Sequence, residues 1–213
     1  MTSTLPARPH AAGGVAPVAR VSASALRQNV ARAVTVHARD DLWAADAWGH
    51  GAGWVASVLS EAGLDADRLD PAVLFGLPGT GARPVLSLRG CALGTKPLLA
   101  GEGVSYGYTH RAPADTVVAL VTGGYAQGVV RALGNAASVV IAGRRHPIVG
   151  RVAMDVCVVD VQDAVIARGA EVSFFGDPAA GDPSLSEWTD ATGLSAAEIV
   201  AIVGARADRR VVA

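Results

Sequence analysis

From Val85 onward the chain is a succession of short, valine-rich runs separated by glycine, proline and aspartate. "PVLSLRG" (84–90), "TVVALVT" (116–122), "SVVIAG" (138–143), "RVAMDVCVVDV" (151–161) and "EVSFFG" (171–176) all follow this plan. β-Branched residues fit a pleated, half-buried surface, and the intervening turn formers stop each run after a few residues. The spacing predicts a mainly antiparallel β domain, with a hairpin turning at Ala142-Gly143. Two helices are expected near the end. Ser184 precedes Glu187 and Ser195 precedes Glu198 at the spacing of a capping box. "RRVVA" is expected to close the chain as an edge strand.

The first third has a different period. "SALRQNVARAV" places Leu26, Val30, Ala33 and Val34 on one helical face. "LWAADAW" (42–48) has the length and apolar content of a short buried strand. "GWVASVLSEAG" puts Trp54, Val55, Val58, Leu59 and Ala62 on one stripe, and Gly63 ends it. Residues 18 to 63 therefore read as strand–helix–strand–helix. Residues 1–16 are rich in Pro, Ala and Gly without periodicity and are expected to form a mobile tail. Residues 64–82 are expected to form a linker. Their glycines at 76, 79 and 81 are not followed by the Gly-Lys-Ser/Thr of a phosphate loop. The division expected is 1–16 tail, 17–82 an α/β piece and 83–213 a β domain.

Charge and composition exclude several functions. The net charge is −1 with no Lys/Arg-rich block, which argues against nucleic acid as a partner. No run approaches a membrane span, and the N-terminus lacks a signal-like apolar stretch, so a cytoplasmic location is expected. Cys91 and Cys157 have no metal spacing and are expected to be free, buried thiols. Of the 18 basic residues only Lys96 is a lysine, so chemistry needing a side-chain amine has one candidate.

Three ordered motifs carry a family resemblance. "GEGVSYG" (101–107), "GGYAQGVVRAL" (123–133) and "PIVGRVAMDVCVVDV" (147–161) resemble the C-terminal domain of alanine racemase, whose patterns are close to "GxxVSYG", "GYADGxxR" and "PIVGRxCMDQ". The family uses pyridoxal phosphate to interconvert L- and D-alanine. The resemblance implies an alanine-racemase C-terminal-like β-barrel domain over 83–213, with a short α/β remnant of a (β/α)8 barrel before it.

The N-terminal piece is similar to the same family. "AADAWGHG" resembles its "KADAYGHG", in which the lysine forms the Schiff base with the cofactor. Here Ala44 stands at that lysine and Trp48 at the phosphate-contacting tyrosine, while Asp46, Gly49, His50 and Gly51 are retained. A (β/α)8 barrel takes about 250 residues. Here "LDPAVLFG", which resembles the last barrel strand, already begins at Leu69. Asp70 stands near the family's pyridine-facing arginine and Phe75 replaces a tyrosine.

The resemblance assigns roles by position. Tyr106 matches the proton-transfer tyrosine, which in the family is supplied by the second subunit of a dimer. Tyr125 and Met154 match substrate contacts, and Arg131 and Arg151 match arginines of the entry channel. Gln127, Ala153, Val156, His110 and Ala197 depart from the family pattern around the site. Lys96 matches a non-catalytic strand lysine, so it is not expected to replace the anchor, and neither His50 nor His146 is expected to act as a base. No metal is expected.

Three functions follow. The first is a degenerate racemase, inactive alone because the Schiff-base lysine and most of the barrel are missing. The second is a non-catalytic partner subunit that supplies Tyr106 to a full-length racemase. The third is a small-ligand or protein-binding module. The uncovered stripe at Trp54, Val58 and Leu59 predicts association, as a homodimer or as a heterodimer with a full-length racemase.

Overall fold

The computed structural model describes residues 16–35 and 41–213. The tail expected over 1–16 lies outside these residues except for Ala16. The chain begins with strand β1 (Val18–Ser22) and helix α1 (Ala23–Ala33). Ser22 caps α1 by accepting the Ala25 amide at 3.2 Å. Leu26, Val30 and Ala33 are buried as the period predicts. Val34 is 55% exposed instead, because α1 stops at Ala33 and Val34 leaves the helix to bridge Leu69.

The strand expected over 42–48 is absent. These residues hold the single turn α2 (Ala44–Trp48), with φ of 48° at Ala45, 60° at Asp46, 54° at Ala47 and 51° at Trp48. A strand here would have no neighbour to pair with, and its backbone groups would go unbonded. The left-handed turn bonds them locally: the Gly49 amide donates to the Ala45 carbonyl at 2.8 Å and the Gly51 amide to Asp46 at 2.9 Å. This backbone costs about 1 kcal/mol or more per residue for L-amino acids, so side-chain bonds must hold it.

Helix α3 (Ala52–Glu61) buries Val55, Val58 and Leu59 in the main core, with Trp54 packed half-buried beside them. The stripe is therefore covered within the chain, and the expectation of association loses that ground. Ala62 faces solvent. The segment expected as a linker, with "LDPAVLFG" as a strand, holds the short helix α4 (Pro71–Leu74). Asp70 caps it by accepting the Ala72 amide at 2.9 Å, and Pro71 sets its first turn. Leu69, Leu74 and Phe75 are buried.

The β region is built on one long strand, β2 (Leu86–Leu98). Its first half pairs antiparallel with β1 and with β9 (Glu171–Phe175). Its second half pairs with β5 (Thr116–Thr122), after a register shift between Ala92 and Gly94. Between them lies a small ribbon of β3 (Gly103–Val104) and β4 (His110–Arg111). The expected hairpin is present as β6 (Ser138–Ile141) and β7 (Arg144–Pro147). Ala142 and Gly143 turn it with φ of 50° and 76°, the pair of positive values a two-residue turn needs.

Strand β8 (Val156–Asp160) pairs with β5. It is shorter than its valine-rich run, because the Ala153 amide turns back to the Val156 carbonyl at 3.0 Å. Pairings run from β2 through β9 and β6 to β7, then by one bridge, Ile148 to Val159, to β8, and through β5 back to β2.

Helices α5 (Leu185–Thr192) and α6 (Ala196–Arg206) precede the last strand, β10 (Asp208–Val212), which joins β1 in parallel at the sheet edge. The box at Ser195 forms: its hydroxyl accepts the Glu198 amide at 3.3 Å, and the Glu198 carboxylate accepts the Ser195 amide at 2.8 Å. The box at Ser184 does not. Ser184 accepts the Ser186 amide at 3.2 Å, while Glu187 is drawn away to pair with Arg145. One apolar cluster runs from Ala19 in β1 to Val203 in α6. Cys91 and Cys157 are buried and form no disulfide with each other, and burial pushes the Cys157 thiol up to about 12. No helix among the described residues is long and apolar enough to cross a membrane.

Candidate functional site

Three loops carry the residues singled out by motif, and they are laced to one another. The Tyr125 amide donates to the Ala153 carbonyl at 3.0 Å and the Ala126 amide to Met154 at 2.9 Å. A Cβ on Gly124 would stand 2.1 Å from the Met154 carbonyl oxygen, so only glycine lets these backbones meet. The loop of Tyr106 joins through Gly107, whose Cβ position lies 3.4 Å from Arg151 Nη1. Asn135 ties the third contact: its Oδ1 accepts the Gly150 amide at 2.7 Å and its Nδ2 donates to Thr109 Oγ1 at 3.2 Å.

Tyr106 is 77% exposed on a one-turn helix, and its ring lies free of the core. Met154 is 55% exposed. Tyr125 is half-buried, with the Arg131 guanidinium 4.2 Å from its ring centroid, a cation–π stack. Gln127 stands where the resemblance puts an aspartate. Its Oε1 accepts the Gly124 amide at 3.0 Å and its Nε2 donates to Asp155 at 2.7 Å, joining the Tyr125 turn to the Met154 loop. Motif reading missed Asn135 and Asp155 as fasteners. Asn135 follows a glycine and takes φ of 65°, a left-handed position that asparagine tolerates, which is the signal that was available.

The Ala44–Gly51 segment lies elsewhere, against α6 and β10. A Cβ on Gly49 would stand 2.6 Å from the Val200 carbonyl oxygen. Asp46 accepts the Ala52 amide at 2.7 Å and pairs with Arg209 at 2.7 Å. The Ala52 hydrogen bond lowers the pKa of its carboxyl most; burial opposes this, and Arg209 adds to the lowering, so the carboxyl stays below the usual range. Trp48 Nε1 donates to the Asp41 carbonyl at 2.8 Å, and its ring tilts against Phe75.

His50 is buried, its ring stacked on Phe75 with centroids 4.0 Å apart. Burial pushes its pKa down to about 4. His146 is also buried, on β7, and burial lowers its pKa. Neither ring is open to a substrate. Lys96 is exposed on β2 opposite Val118. Among the described residues no group of His, Cys, Asp and Glu is arranged to hold a metal. A cavity of about 820 Å³ lies apart from Tyr106, Tyr125, Met154, Arg131 and Arg151, none of which lines it.

Residues 85–211 match the family model described as "Alanine racemase, C-terminal domain". The chain is 41% identical over 155 residues to the alanine racemase of Frankia casuarinae, covering 72% of this chain and 40% of that protein. Among solved structures it resembles the alanine racemase of Streptomyces coelicolor A3(2), with a TM-score of 0.63 and 28% identity over 75% of this chain and 49% of that one. It also resembles the Bartonella henselae alanine racemase, solved with covalently bound pyridoxal phosphate, at a TM-score of 0.61 and 26% identity over 70% of this chain and 44% of that one. The chain thus spans about two fifths to half the length of the proteins it matches.

Proposed function

This chain belongs to the alanine racemase family through its C-terminal domain, and from that membership we propose that it does not racemise alanine by itself. The observation that carries this reading is Ala44 at the family's Schiff-base position, on a left-handed turn, with Lys96 exposed far along β2 as the one alternative amine. Pyridoxal phosphate supplies an electron sink for the carbanion when an α-proton is removed. The residues here do not fit it. Ala44 offers no amine, and Trp48 spends its indole N–H on the Asp41 carbonyl. We read the ring of paired strands as the family's C-terminal barrel, and residues 17–82 as what remains of the cofactor-binding barrel.

The exposure of Tyr106 favours a second role. A phenol that is 77% exposed, on a turn that Arg151 lies beside and Asn135 ties at Thr109, is presented outward rather than packed within its own chain. In the family reading it meets an active site completed by another chain. Tyr106 would there give or take a proton at its hydroxyl, with Tyr125, Met154, Arg131 and Arg151 around it.

The test is complementation. The chain is assayed for alanine racemisation alone, and then mixed with a full-length racemase whose own tyrosine in "VSYG" is replaced by phenylalanine. No activity alone and recovered activity in the mixture, lost again with Tyr106→Phe, supports both readings. Activity alone overturns the first. A mixture that stays inactive while a stable complex forms overturns the second.

A further inference from the structure

We propose that the cavity between α1 and the start of α5 binds a small organic anion with an apolar body, independently of the reading above. Its volume, about 820 Å³, falls within the range of about 300–1,000 Å³ typical of small-molecule sites. The floor is apolar, formed by Phe75, Leu86, Phe175 and Leu185, each less than a tenth exposed.

The wall is charged and its balance is positive. Arg32, Arg83 and Asp177 are the charged residues that line it. Arg83 Nε is already paired with Asp177 Oδ2 at 3.0 Å. That leaves Arg32, which has no acidic partner among the described residues. Its Nη2 lies 3.4 Å from where a Cβ on Gly81 would stand, and Gly81 takes φ of 68°, so the loop of residues 76–84 holds it close at a position that favours glycine. A guanidinium binds a carboxylate or sulfonate through two parallel N–H donors, and an apolar floor beneath it selects an anion that carries a hydrophobic body.

The test uses two probes of one shape, 1-naphthoate and the neutral 1-naphthylmethanol, titrated into the isotope-labelled chain and followed by backbone amide shifts. Naphthoate is expected to give saturable shifts confined to the loops of residues 76–84 and 176–186 and to α1. Arg32→Ala is expected to weaken naphthoate about tenfold and leave naphthylmethanol unchanged. The side chain is exposed and has no acidic partner among the described residues, so the variant keeps the fold. Arg168→Ala, on a loop that does not line the cavity, is expected to change neither probe. Absent or scattered shifts, equal binding of the two probes, or an unchanged naphthoate affinity in Arg32→Ala would each overturn the proposal.

Discussion

Arg209 in the last strand donates from Nη1 to Asp46 Oδ2 at 2.7 Å and to the Gly49 carbonyl at 3.0 Å, so the chain's C-terminal strand fastens the left-handed turn near its beginning. The same carboxylate caps α3 through the Ala52 amide. Removing it is therefore expected to release the turn rather than unfold the molecule. For Asp46→Ala, amide hydrogen exchange should rise over Ala45–Ala52, with about 1 kcal/mol lost in urea. Its carboxyl is held below the usual range, so this stability is present at neutral pH and lost as pH falls through the lowered pKa.

His50 predicts a second and separate pH dependence. The ring is buried against Phe75, and its pKa falls from 6.5 to about 4. The unfolded chain binds the extra proton between these values. Stability should be full above about pH 6.5 and decline toward pH 4, by an amount on the order of 3 kcal/mol. Urea midpoints measured from pH 7 to pH 4.5 read this directly. In His50→Leu the slope over that window should flatten. An unchanged slope would move its origin to other groups.

How far the sequence could be read differs along the chain, for a physical reason. The strands β5, β6 and β9 and the hairpin at Ala142-Gly143 were legible because their period, valine content and turn residues all agree. "LWAADAW" was not. A strand is defined by its neighbours, and this stretch has none, so its apolar content misled. The Ser184 box failed similarly, because Arg145 competes for Glu187 from a strand far away in sequence. Motifs placed Tyr106, Tyr125 and Met154 on loops, but the lacing by Asn135 and Asp155 depends on tertiary contacts that no local pattern encodes.

Gln127 gives a charge test of that lacing. Its amide reaches the Gly124 N–H and the Asp155 carboxylate together, which needs one acceptor and one donor. Gln127→Ala should cost about 1 kcal/mol. Gln127→Glu keeps an acceptor for Gly124 but turns a second carboxylate toward Asp155. This variant should be less stable than Gln127→Ala at low salt, with the difference shrinking as salt screens the like charges. Thermal melts of the two variants at low and high salt check it.

Gly90 tests the packing that unites the two halves of β2. A Cβ there would lie 2.4 Å from the Thr122 carbonyl oxygen and 2.9 Å from the Phe174 ring. Both neighbours are fixed: Thr122 sits at the end of β5, its hydroxyl accepting the Cys91 amide at 2.9 Å, and Phe174 is buried edge-on to Trp188. Neither can yield without opening the pairing of β2 with β5 or β9. Gly90→Ala is therefore expected to destabilise by about 3 kcal/mol, although alanine is the smallest possible addition. Gly94→Ala, on the same strand with open space around its Cβ position, is the control and should lie within about 1 kcal/mol of the parent. Equal effects in the two variants would mean that strand conformation, and not this close approach, sets the requirement for glycine.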